Sequence, residues 1–252
     1  MTVDTLLTAL RLPRESLIGK RVPKTLLLEQ GAPTAADKRL LREGIEEFTW
    51  LAALKPATGG PAAFRDDLRD YPEVAVLHVA LRADAKRDRT HTLIHRAIPY
   101  PCLLLSTQGS AITLSLAHKR RSQGDAASWV TDFLEILDLH PAADAEAVRQ
   151  SFLAALALDT RPVAHLLDLY QGWLDALLAL RVARRTGTFR VLPGPDAAHA
   201  RRADLDELAR LTRELAAVRA TAAKEKQMAR RLALAERRQS LERQLAALAA
   251  GL

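Results

Sequence analysis

The sequence predicts an α+β protein that is mostly helical. A small three- to four-stranded mixed sheet with helices is followed by a long C-terminal coiled-coil helix. Three observations carry this. Val74–Leu81 (VAVLHVAL) is short and valine-rich, with apolar residues on both faces, as in a buried strand. Cys102–Ser106 and Ala111–His118 flank the turn residues Gln108-Gly109-Ser110, and Ile112, Leu114 and Leu116 alternate as in a paired strand. Elsewhere leucines recur at helical spacing, and Ala203–Leu252 holds no proline and a single glycine, Gly251.

Taken in order, Thr2–Leu10 reads as a short helix with Leu6, Leu7 and Leu10 on one side, ended by Pro13. Lys20-Arg21-Val22-Pro23-Lys24 reads as a basic loop. Thr34 is an N-cap for a helix over Ala35–Ala53, striped by Leu40, Leu41, Ile45, Phe48 and Leu51. Thr90–Ala97 has helical spacing and stops at Pro99-Tyr100-Pro101. Helices are expected over Ser128–Leu137, Asp144–Ala157 and Pro162–Ala183, and an edge strand at Thr188–Leu192. Trp50, Trp129 and Trp173 fall on apolar helix faces. Pro193-Gly194-Pro195 marks a boundary. The expected organisation is an α+β domain over 1–125, a helical subdomain over 126–192, a linker over 193–202 and a basic coiled-coil arm over 203–252.

In that arm Leu208, Leu211, Leu215 and Val218 follow seam spacing, as do Leu241, Leu245 and Leu248. The two sets occupy different heptad frames and slip near Lys224–Gln227, which is either a stutter or a hairpin. The lack of glycine or proline there favours one helix of roughly 70 Å at about 1.5 Å per residue. Its seam is expected to need a partner.

Charge is unevenly spread. Residues from Arg181 onward hold 16 Lys/Arg against 8 Asp/Glu, whereas the first 180 hold 21 against 22. A neutral body with a basic arm points to nucleic acid or an acidic protein surface. The candidate nucleic-acid contacts are Lys20, Arg21, Lys24, Lys119, Arg120, Arg121, Arg184, Arg185, Arg230, Arg231, Arg237 and Arg238. The scarcity of aromatics, 4%, argues against single-strand stacking platforms.

No catalytic residue is assigned. No phosphate loop, dinucleotide fingerprint or serine elbow is present. His91 and His95 stand at i,i+4, but no third metal ligand is evident. A metal-dependent nuclease is the alternative, with Asp66, Asp67, Asp70 and Glu73 before the first strand. That strand carries no acid, and the Glu-x-Lys pattern is missing. No metal or cofactor is expected. Cys102, the one cysteine, lies in an apolar run and excludes an intrachain disulfide. No secretory leader or membrane span is read, so a cytoplasmic protein is expected.

Several stretches together resemble the bacterial domain-of-unknown-function family 4391. They are Lys20–Lys24, Trp50–Leu54 with Pro56 and Thr58, Ile98–Pro101, the strand ending at Lys119, and Lys224-Glu225-Lys226-Gln227 inside the leucine-rich arm. The family often has an acid at the first strand; here there is none. The resemblance implies an accessory subunit of a restriction-like or anti-phage complex. Its partners would be helicases and DNA methyltransferases. The C-terminal helix would dock them and touch double-stranded DNA. A homodimer without any nucleic-acid role is the second alternative.

Overall fold

The computed structural model describes residues 1–122, 124, 129–139, 144–159, 163–192 and 194–252. The chain divides into two compact units, Met1–Leu177 and Leu178–Leu252.

The elements run α1 (Val3–Leu10), β1 (Leu17–Arg21), α2 (Lys24–Gln30), α3 (Ala35–Gly44), β2 (Ile45–Leu54), β3 (Phe64–Arg65), β4 (Asp70–Tyr71), β5 (Val74–Leu81), α4 (Arg87–Ala97), β6 (Cys102–Gln108), β7 (Ala111–Arg121), β8 (Trp129–Asp138), α5 (Glu146–Leu156), α6 (Leu166–Thr186), α7 (Pro195–Lys224) and α8 (Met228–Gly251). Thr2 caps α1 and Thr34 caps α3, each hydroxyl accepting an N–H from the first turn.

The main sheet of the first unit has six strands in the order β1-β2-β5-β6-β7-β8. Only β5 and β6 run parallel, joined through α4; the other pairs are antiparallel. Ala75, Leu77, Val79 and Leu81 of β5 pack with residues of α2, α3 and α4. Val74 and Val76 are buried as well, so both faces of β5 are covered. That is what the doubly apolar run predicts. Gly109 turns the β6–β7 hairpin at φ 58°, a conformation that costs a side-chain-bearing residue. From α6, the Tyr170 hydroxyl donates to the carbonyl of Cys102 on β6 at 2.9 Å and accepts the Ala117 N–H of β7 at 2.6 Å.

The sheet is larger than the three to four strands expected. Residues 45–53, read as the second half of a helix, lie in β2. Bulges between Ile45 and Glu47 and between Trp50 and Ala52 break the two-residue alternation. The buried positions Leu41, Ile45, Phe48 and Ala52 then fall three and four apart and imitate a helix. Residues 129–138, also read as a helix, form β8. It pairs with β7, so it belongs to the sheet and not to a helical subdomain beginning at 126. Its inward row is Phe133, Glu135 and Leu137, and the buried carboxylate of Glu135 hides the strand pattern. Trp50 and Trp129 accordingly sit on strands, and only Trp173 lies in a helix. Thr188–Leu192 forms no strand. The linker expected over 193–202 is mostly helix, since α7 starts at Pro195; Pro193 itself, like the expected start of α6 at Pro162 and the N-terminal Ser128 of the 128–137 segment, lies outside the described residues.

Candidate nucleic-acid interface

The second unit corrects the expectation of one long helix. The chain turns at Glu225-Lys226-Gln227, and α7 and α8 pack together as an antiparallel hairpin. The Glu225 carboxylate holds the turn by accepting the N–H groups of Lys226 and Gln227, both at 2.8 Å. No glycine or proline is needed, because this side chain satisfies the donors that the helix break frees.

The two leucine frames are the two sides of this hairpin. Leu211 and Leu215 of α7 pack with Leu241 of α8, with half-buried Val218, Leu245 and Leu248 against them. Leu208 is buried too. Much of the stripe expected to seek a partner is therefore covered within the hairpin itself. Ion pairs close the flanks: Arg219 bonds Glu242 at 2.8 Å, and Arg237 donates through Nε to Glu214 at 3.1 Å.

Covering the seam leaves the outer faces, and their charge is concentrated. Between Arg219 and Arg231 there are five cations, Arg219, Lys224, Lys226, Arg230 and Arg231, against the single acid Glu225. Residues 195–218 carry four Lys/Arg and five Asp/Glu, and residues 232–252 carry three and two. Nearly all the excess charge of the hairpin thus lies at its turn. Lys224, Lys226, Arg230 and Arg231 are all exposed; Arg230 comes within 4.0 Å of Glu225.

The other expected contacts divide. Arg238 is exposed 3.8 Å from Glu242, and Arg237 is held by Glu214. Arg185 is exposed and Arg184 half-buried. In the first unit Lys20 and Arg21 are exposed on the edge strand β1. Arg120 is bound to Asp132 at 2.9 Å, and the Arg121 guanidinium lies 5.5 Å from the centre of the Trp129 ring.

Two lysines are turned inward. Lys24 donates to the carbonyls of Ile45 and, at 3.5 Å, Arg42, at the end of α3. Burial, and then the charges of Arg82 and Arg21, lower its pKa. Lys119 is only 3% exposed and donates to the carbonyls of His95 and Ile98, at the end of α4. A cation there meets the last carbonyls and the negative end of the helix dipole. Lys119 is a buried helix cap and is corrected as a phosphate contact. Its place on β7, next to the charged Arg120 and Arg121 in sequence, concealed this.

The residues missed by the sequence reading are Arg219, Lys224 and Lys226. The signal was present: the frame slip at Lys224–Gln227 lies inside the 219–231 stretch where the cations are in excess.

The two buried histidines of α4 are bonded to side chains of β6 and β7. His91 bonds Ser115 at 2.6 Å through Nδ1 and Ser106 at 2.7 Å through Nε2. His95 bonds Ser115 at 2.8 Å and the Cys102 thiol at 3.3 Å. This histidine pair is fully buried. Among the described residues no three His, Cys, Asp or Glu gather so as to hold a metal ion. Of the acids weighed for a nuclease, Asp66 accepts the N–H groups of Leu68 and Arg69, and Asp70 pairs with Arg65 at 3.3 Å. A cleft of about 350 Å³ between α3 and the start of α4 contains Asp37, clamped at 2.9 Å on both oxygens by Arg89. Those bonds hold the Asp37 carboxyl below its usual range.

The family model for a domain of unknown function, DUF4391, matches residues 10–245. The chain belongs to this family. The match takes in the sheet, α6 and the hairpin turn together; the ordered stretches of the sequence resemblance lie on the sheet, around the end of α4 and at the hairpin turn, and none falls in α6. No curated protein and no solved structure matches the chain. Among the described residues no helix is long and apolar enough to cross a membrane.

Proposed function

We propose that the chain is a non-enzymatic accessory subunit of a bacterial DNA-targeting assembly, and that it contacts duplex DNA through the turn of its C-terminal hairpin. The observation that carries this is the charge at the turn: five cations and one acid within residues 219–231, with that acid bonded to backbone N–H groups. Such a density suits phosphates, because each one neutralised releases counterions. The covered seam supports an arm whose outer faces do the binding. The engaged states of Asp66, Asp70 and Asp37 favour a binding role over hydrolysis. Restriction-like or anti-phage defence, with a helicase or a DNA methyltransferase as partner, is the setting that the resemblance implies.

The test measures duplex affinity by fluorescence anisotropy. With roughly four phosphate contacts, affinity should fall about a hundredfold between ~50 and ~200 mM salt. The variant K224E/K226E/R230E/R231E should lose most of the affinity and most of that salt slope. A duplex that does not bind, or a slope unchanged in the variant, overturns the DNA contact. Co-expression with the products of adjoining genes tests the accessory role; a chain that joins none of them is no subunit.

A further inference from the structure

We infer that Met228 and Leu232 form an apolar wedge that enters the base stack of the duplex held at the hairpin turn, so that binding unstacks and kinks the DNA. The inference rests on the DNA contact proposed above and deepens it.

Met228 is 76% exposed and Leu232 63% exposed. Among the described residues of the second unit they are the large apolar side chains left bare. Four residues apart on α8, they share one face. The helical period places that face opposite Leu241, which is fully buried in the seam. Neither belongs to the apolar cluster that joins α7 to α8. A helix end that must only stay soluble does better with polar residues at both positions.

The surroundings decide what covers them. Arg230 and Arg231 lie between the two in sequence, with Lys224 and Lys226 just before. A second copy would bring like charges together. A stable protein interface buries about 800 Å² on each partner and engages some 20–30 residues a side. Two side chains on a thirteen-residue turn fall well short of that. A membrane-surface helix needs a continuous apolar face, and that of α8 is spent on α7. DNA asks for less. Phosphate contacts supply the affinity without large area, and one or two side chains such as Leu or Met suffice to open a base step. Apolar groups bracketed by cations are the chemistry of that insertion: charges seat the duplex and the wedge replaces a stacking contact. Flexible pyrimidine–purine steps cost least to open and should be preferred.

The test uses the full chain and a duplex of about twenty base pairs with 2-aminopurine at a central TA step. Saturating protein is expected to raise the emission severalfold as the base unstacks. M228S/L232S, two exposed changes, is expected to keep the salt-dependent affinity within a small factor and to lose the rise. Emission that stays flat with the parent chain, or rises equally with the double variant, overturns the wedge and leaves the DNA contact standing. An acidic amphipathic peptide that competes with the duplex on the parent but not on the double variant makes the pair a protein-docking knob, and again the wedge falls. A parent chain that does not bind the duplex removes the DNA contact itself.

Discussion

The Lys119 ammonium donates to the carbonyl of His95, in the last turn of α4, and thereby ties β7 to the helix that links the two parallel strands. The same amine reaches the carbonyl of Ile98, just past the helix end. A charge that sequence places beside Arg120 and Arg121 is in fact an internal fastening.

Replacing Lys119 tests that fastening. Lys119→Ala leaves two carbonyls unmet and opens a cavity, and should cost about 2–4 kcal/mol in urea unfolding. Lys119→Met fills the space without a buried charge and should cost less. Duplex affinity should be unchanged in Lys119→Met. Burial lowers the Lys119 pKa to about 8. Its folded pKa is thus below its unfolded one. The unfolded chain holds the extra proton above pH 8, so this group makes stability rise with pH from about 8 to about 10.4 in the parent. That rise should be absent in Lys119→Met.

The histidine pair makes the opposite end of the pH range informative. Burial, with the Arg87 charge adding to it, lowers His91 to about 4, against the pull of Asp88 and Asp138. Burial, then Lys119 and His91, lowers His95 well below its ordinary value. Both are neutral in the folded state. Their contribution is complete above about pH 6.5 and falls as pH drops toward 4, by about 3 kcal/mol for His91 alone. Urea midpoints across that range should show the loss, and His91→Gln should remove the His91 share of it and leave that of His95.

Gly31 offers a steric check on the helix layer. An added Cβ would lie 2.6 Å from the Leu93 carbonyl oxygen and 2.7 Å from the Ala97 Cβ. Gly31→Ala should therefore push α2 away from α4 and cost about 1–3 kcal/mol, seen as a lower Tm. Gly109→Ala, with open space but a positive φ, should cost about 1 kcal/mol.

Leu241 is the seam residue on α8 with no exposure. Leu241→Ala should cost about 2–4 kcal/mol and loosen the hairpin. Hydrogen exchange should reveal faster opening in α7 and α8. Glu214→Gln, which touches solvent-screened pairs with Arg210 and Arg237, should change the unfolding midpoint far less than Leu241→Ala does.

How much of this was legible varies by element. β5, with both faces apolar, is found at its exact bounds because its hydrophobic run is continuous and β-branched. β6, β7 and α4 follow from alternation and from the prolines between them. β1 carries no signal, since all five of its residues are exposed. β2 misleads because two bulges convert a strand period into an apparent helical one. At the site, the cations of the arm are legible, but the bond that withdraws Lys119 lies 24 residues away in the chain.

By itself the sequence determined the α+β class, the family, the charge asymmetry and the slip of leucine frame near Lys224–Gln227, because composition, local period and motif order are properties of neighbouring residues. The tertiary structure decided the width of the sheet, the closing of two leucine frames on each other and which lysines face solvent. Those depend on contacts between distant segments, where burying an apolar stripe or meeting a bare carbonyl outweighs any local preference.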